Sequence, residues 1–226
     1  MELVLVRHAQ PEWSRDRTAR VDPGLTERGR RQAQLAAGRL AERAFDRLLV
    51  STATRARETA APLGELRPAV ALEEREWLHE IHMPAHWEGT PQEEVDRTFR
   101  EARVRSREDW WQGIPGGESF GDFHARVTAG LDGELADLGL ERDQHGFWQL
   151  PDRLPERVVM VAHAGTNSVV LGHLLGLEPQ PWEWERFASD HASLTVLRTA
   201  PIGSGHIFSL QYFSDVEHLP AELVTA

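Results

Sequence analysis

The sequence contains no cysteine and no lysine. Without cysteine there is no disulfide, no thiolate nucleophile and no cysteine-ligated metal, and the redox compartment is left open. Without lysine there is no Schiff base and no lysine phosphate clamp. Any anion site must therefore be built from arginine, histidine and backbone N–H groups. Long hydrophobic runs are missing too, since no stretch approaches the roughly 18–20 apolar residues of a membrane span. The apolar opening Met1–Val6 is ended at once by Arg7 and His8, which is not the pattern of a secretory leader. A cytoplasmic protein is the default expectation. Positive charge is scarce: 25 basic residues against 36 acidic ones give a net charge of −11. That balance disfavours nonspecific nucleic-acid binding, which runs on phosphate neutralisation, so neither nucleic acid nor membrane is expected as a partner.

The 226 residues, 40% of them hydrophobic, suffice for one large domain with a real core. Strand and helix signals alternate along the chain. Leu3–Val6 reads as a buried strand, and Thr26–Glu42 as a helix with Thr26 as N-cap. Arg47–Ser51 reads as a second strand, Thr54–Leu63 as a second helix and Ala69–Leu72 as a short third strand. Arg157–Ala162 is the clearest buried strand; Thr166–Leu175 follows as a helix that Gly176 stops. Ser193–Thr199 and His206–Phe213 read as two late strands, and Asp143–Glu156 as a surface loop. This rhythm predicts an α/β fold, a three-layer α/β/α sandwich on a mainly parallel sheet. The charged, largely helical stretch Pro91–Leu138 predicts an insertion, over about residues 84–138, that forms a lid on a single domain.

Ligands of open α/β sheets collect at the carboxyl ends of the strands. The first strand runs into Arg7-His8, the second into Ser51-Thr52-Ala53-Thr54-Arg55, and the strongest into His163-Ala164-Gly165-Thr166. Two histidines and two arginines should thus converge on one rim. Such a set suits phosphate. A neutral imidazole attacks phosphorus in line, arginines fork around the equatorial oxygens, and a carboxylic acid protonates the leaving oxygen.

With these residues in place the chain resembles the histidine phosphatase superfamily, the group that includes cofactor-dependent phosphoglycerate mutases. Leu5-Val6-Arg7-His8-Ala9 is similar to its signature, and Leu25–Ala33 to its first helix. Ser51–Ala60 resembles the second-arginine motif, and Leu78-His79-Glu80-Ile81-His82 with Trp87-Glu88-Gly89 the acid-bearing segment. Gly116-Gly117-Glu118-Ser119 and Val161–Gly165 complete the set, in order over about residues 2–176. The resemblance implies His8 as phosphohistidine nucleophile, Arg7, Arg55 and His163 as phosphoryl ligands, His163 as cation or donor, and Glu80 as proton donor. Ser14 and Ala164 would join the phosphate site, with Glu88 and Glu118 as alternative acids. Departures are Ala9 and Ala164 in place of common glycines, and Ser14 in place of a common asparagine.

The expected activity is metal-independent hydrolysis of a small phosphomonoester, with no cofactor. The mutase segment, with its paired arginines and lysine for a substrate carboxylate, is missing after Glu88. Phosphoglycerate mutase-type transfer and a non-catalytic phospho-ligand binding module are the alternatives. Zinc on His79, His82 and His86 is a weaker reading, because Pro84 interrupts any continuous helix there. Trp110, Trp111, Trp182 and Trp184 read either as packing or as an aromatic wall for a leaving group. Arg97, Arg100, Arg103, Arg105 and Arg107 read as a solvated face paired with glutamates or, with one or two turned inward, as readers of a second anionic group of the substrate. An exposed apolar strand edge would support a homodimer.

Overall fold

The computed structural model describes residues Met1–Ala226. In chain order the first half comprises β1 (Glu2–Arg7), β2 (Ser14–Arg15), β3 (Thr18–Ala19), α1 (Glu27–Ala41), β4 (Arg47–Ser51), α2 (Thr54–Leu66) and β5 (Leu72–Arg75). Three helices come next: α3 (Gln92–Ala102), α4 (Arg107–Trp111) and α5 (Phe120–Asp137). The rest is β6 (Glu141–Arg142), β7 (Trp148–Gln149), β8 (Arg157–Ala162), α6 (Ala164–Leu174), α7 (Glu183–Arg186), β9 (Leu194–Ile202) and β10 (Gly205–Asp215).

Eight strands form one mixed sheet in the order β5-β4-β8-β1-β9-β10-β7-β6. β5, β4, β8 and β1 run parallel, and the remaining strands extend the sheet antiparallel. Alternation of side chains along β1 sends Leu3 and Leu5 to one face and Val4 and Val6 to the other. On the first face they meet α5 and α6 through Phe123, Val127, Leu131, Val169 and Val170. On the second they meet α1 and α2 through Ala37, Leu40, Ala56, Ala60 and Leu63. Strands buried on both faces need unbroken aliphatic runs, which is why β1, β4 and β8 are apolar over Leu3–Val6, Leu48–Val50 and Val158–Ala162. The expected three layers are present.

Three local expectations are corrected. The third strand lies at Leu72–Arg75 rather than Ala69–Leu72. It is the sheet's edge, held by pairing to β4 and by ion pairs of Glu73 and Arg75 with Arg47 and Glu134, so it carries charge where an apolar run was sought. Asp143–Glu156 is not a plain surface loop. β6 and β7 pair around a turn in which Asp143 Oδ1 accepts from the N–H groups of His145 and Phe147. That turn drops Trp148 into the main core against Phe208. Finally, the stretch expected as insertion divides. α5 contributes Phe120, Phe123, Val127, Leu131 and Leu135 to the core and α4 reaches it through Trp111 on Phe120, whereas α3 packs through Val95 in a separate small cluster with Ala19 and Trp87. No helix is long and apolar enough to cross a membrane.

Candidate active site

Register builds the site. β1 and β8 pair with Arg7 opposite Ala162, so the next residues, His8 and His163, leave the sheet side by side. Their ring centroids lie 5.1 Å apart. β4 pairs with the other edge of β8, Val50 opposite Val161, and delivers Ser51 and then Arg55 in the first turn of α2.

His8 is 4% exposed, and its Nδ1 lies 2.8 Å from the Ala9 carbonyl oxygen. A carbonyl only accepts, so the ring proton sits on Nδ1 and Nε2 keeps its lone pair. The loop behind it is pinned: Ala9 N donates to Thr59 Oγ1 and Gln10 N to Gln32 Oε1. α1 lies so close to this loop that a Cβ on Gly29 would stand 2.1 Å from the Gln10 carbonyl oxygen. Thr26 caps that helix as expected, accepting from Gly29 N at 2.9 Å.

Arg7 donates through Nη1 to the Ser189 carbonyl and through Nη2 to His191 Nε2 at 3.2 Å. Arg55 is buried under the Trp13 ring, 4.8 Å from its centroid, with Asp22 3.6 Å away. Ser51 Oγ accepts from Ala53 N and lies 2.8 Å from His163 Nε2; with Ser51 as donor, the His163 proton sits on Nδ1. Four buried donor atoms then have no hydrogen-bond partner in the protein: Arg7 Nε, Arg55 Nε, Arg55 Nη1, which has only the longer ion pair to Asp22, and His163 Nδ1. A buried donor without an acceptor is costly, and a cluster of them describes the shape of a missing anion.

All three imidazoles here are neutral. Burial, then the Arg55 charge, pushes His8 and His163 well below the usual histidine range. Burial and Arg7 push His191 down to about 3. Burial thus disfavours the charged form of His163 and favours its role as a neutral donor. Burial also lowers both guanidinium pKa values, opposed in each case by Glu80.

Glu80 faces this cluster across the cavity. Its Oε2 accepts from Gly165 N, at the positive N-terminal end of α6, at 2.9 Å. There is no room to spare, since a Cβ on Gly165 would stand 2.4 Å from Glu80 Oε1. Arg126 steadies the acid-bearing segment from α5, donating to the carbonyls of Trp77, His79 and Glu80. The same guanidinium grips Glu118 with two bonds of 2.9 and 2.8 Å. Burial would raise Glu118, but Arg126 outweighs it and holds the group ionised. Glu88 is exposed and accepts from Val21 N. Of the three acids, only Glu80 lines the cavity.

Ala164 opens α6 and lines the cavity as well. Ser14 does not join them: it is exposed on the β2–β3 hairpin, and the neighbouring Trp13 turns inward instead, edge-on to His8 at 6.5 Å. His79 and His82 stack in parallel at 4.6 Å, and their Nδ1 atoms are engaged by the Glu80 carbonyl and by Glu118. Sequence reasoning missed Trp13, Ser51, Thr59 and His191. Ser51 and Thr59 stood inside a motif already singled out. Nothing local marks His191, which reaches the site only because β9 pairs beside β1.

The profile of the histidine phosphatase superfamily (branch 1) matches residues 3–205. A glucosyl-3-phosphoglycerate phosphatase of Mycobacterium tuberculosis is 32% identical over 182 residues, which span 80% of this chain and 78% of that protein. Phosphoserine phosphatase 1 of Hydrogenobacter thermophilus is 30% identical over 200 residues, 87% of this chain and 86% of its own. The solved structure of a mycobacterial glucosyl-3-phosphoglycerate phosphatase with VO3 superposes with a TM-score of 0.72 at 29% identity, covering 95% of this chain and 99% of that one.

Proposed function

The chain belongs to the histidine phosphatase superfamily and is a phosphatase, and on that premise we propose that it hydrolyses small phosphomonoesters without a metal, through a phosphohistidine on His8. The four orphaned donors around His8 carry this reading. They match a phosphoryl group whose oxygens take hydrogen bonds from Arg7, Arg55 and His163 while phosphorus faces the His8 Nε2 lone pair. Three neutral imidazoles beside two fixed guanidiniums leave the nucleophile unprotonated and the anion held.

In the first step the Nε2–P bond forms as the bond from phosphorus to the ester oxygen breaks, and Glu80 gives its proton to the departing alcohol. Water then enters on the same side. Glu80 takes one of its protons, the hydroxide oxygen bonds to phosphorus, and the P–N bond breaks to return neutral His8 and free phosphate. Charge spreads over the equatorial oxygens in both steps, where the fixed donors act without reorganising.

The test is a panel of phosphate esters in chelator, with primed 3-phosphoglycerate included. Phosphate release, together with an acid-labile phosphoryl adduct mapped to His8 and lost in His8→Ala, is the expected result. Interconversion of the phosphoglycerates with no release would make the protein a mutase. Turnover persisting in His8→Ala would remove the phosphohistidine.

A further inference from the structure

The cavity lined by Arg7, Trp13, Glu80 and Gly165 adjoins His8, which does not itself line it, and has a volume of about 720 Å³, far more than a phosphoryl group fills. Arg7 and Glu80 mark one end, and beyond them the wall is mostly apolar. α3 accounts for much of it. Val95, Phe99 and Ala102 fall on one stripe at helical spacing and face the cavity, while Glu93, Arg97, Arg100 and Glu101 do not line it. Arg97 and Glu101 pair weakly on the outer side at 3.9 Å, the solvated face expected of this arginine-rich helix.

Phe99 shows that the stripe lacks a partner. It remains 41% exposed although Trp87 meets it edge-on at 5.4 Å. Trp13, Met83, Trp110 and Ile114 extend the same apolar wall back toward the phosphoryl site. Of the tryptophans considered from sequence, Trp110 and Trp184 line this cavity, whereas Trp111 packs on Phe120.

The charges along the wall are largely spent or balanced. Arg103 stands 3.4 Å from Glu185, and Arg105 donates to the Gly113 carbonyl. Asp109 and Glu185 line the same surface as Arg20 and Arg105, and the other polar groups there are few: Gln92 and Ser189, whose Oε1 and Oγ are buried without a hydrogen-bond partner. Along the apolar part of the wall, between Val95, Phe99, Ala102, Met83 and Ile114, a sugar hydroxyl or a carboxylate would be left without a partner and lose more than it gains.

We propose that the substrate is a phosphomonoester of a bulky apolar alcohol, ring-bearing or branched, whose body packs between the α3 stripe and Trp13 and Trp110. This rests on the hydrolase reading above for the place of the phosphoryl group. The volume fits a body of about drug size, and the continuity of the wall with Glu80 places the ester oxygen beside its proton source.

Binding to His8→Ala separates substrate class from turnover. Calorimetric titration in chelator with 3-phenylpropyl phosphate and with glycerol 3-phosphate compares two alkyl esters that share the same headgroup. The expected result is at least about tenfold tighter binding of the phenylpropyl ester, the effect of burying an apolar group smaller than a phenylalanine side chain. Phe99→Ser in the same background should narrow that ratio. Equal affinities, or preference for the glycerol ester, would overturn the proposal. Should His8→Ala fail to fold, inhibition constants of the two esters against wild-type turnover of p-nitrophenyl phosphate give the same comparison. Wild-type protein that prefers the apolar ester in binding yet releases no phosphate from it would refute the hydrolase reading alone.

Discussion

At Gly165 a single hydrogen atom stands where any other residue would place carbon against Glu80 Oε1. The obstructing atom is the end of a side chain, so Gly165→Ala shifts Glu80 instead of breaking the fold. We expect the midpoint of thermal unfolding to stay close to wild type, while turnover of an alkyl phosphate falls on the order of tenfold to a hundredfold, a fraction of what general acid catalysis supplies. p-Nitrophenyl phosphate, whose leaving group needs little protonation, should be slowed far less. Equal slowing of both esters would take the acid role away from Glu80.

The neutral histidines have a second consequence at this scale. An imidazole in the unfolded chain titrates near 6.5, but burial first, and the neighbouring arginines next, depress His8, His163 and His191 in the folded protein. Below 6.5 the unfolded chain therefore takes up protons that the folded one refuses. The stabilisation is complete above that pH and is lost as pH falls, for His191 down to about 3. Each such group contributes a slope of at most about 1.4 kcal/mol per pH unit. Denaturant unfolding followed from pH 7 to pH 4 should show it, and His191→Asn should make the curve shallower by about one proton. An unchanged slope in that variant would mean that His191 is already protonated in the folded state.

Among the elements, what the sequence revealed and what it hid divide by burial. β1, β4 and β8 are enclosed by helices on both faces, and their aliphatic runs announced them. β5, β6 and β7 take their stability from ladder bonds and cross-strand contacts at the margin of the sheet, where a charged or mixed strand has no periodic signature. α5 was misplaced for a related reason: its surface arginine and acids suggested a cover, yet every third or fourth residue reaches the core. Helix α1 offers the sharper test. Gly29→Ala drives carbon into the Gln10 backbone, which cannot swing aside as a carboxylate can. We expect a loss of about 1–3 kcal/mol in chemical denaturation, the range for an overpacked contact, with activity falling too because Gln10 lies two residues beyond His8. A variant of wild-type stability would mean that α1 slides freely over that loop.

For the whole molecule, the site was legible because its parts sit at strand ends and a parallel sheet brings strand ends together. Residues as distant as His8 and His163 become neighbours through one register. His191 was illegible for the same reason in reverse, since only the antiparallel pairing of β9 reveals where its preceding loop lies. The four buried donors beside His8 have no hydrogen-bond acceptor within the protein, a deficit of the kind that costs about 1–3 kcal/mol per unmet group. Inorganic phosphate offsets that deficit, so scanning calorimetry should show the unfolding temperature climbing with phosphate concentration. Sodium sulfate at matched ionic strength controls for screening, and Arg55→Ala should abolish the specific part of the rise.

A cradle completed by phosphate does not distinguish phosphate that arrives on an ester from phosphate left behind. On the proposed mechanism the group that suits these donors is also the last product to leave, so the free enzyme would be regenerated against its own gain in stability. Phosphate should then compete directly with substrate.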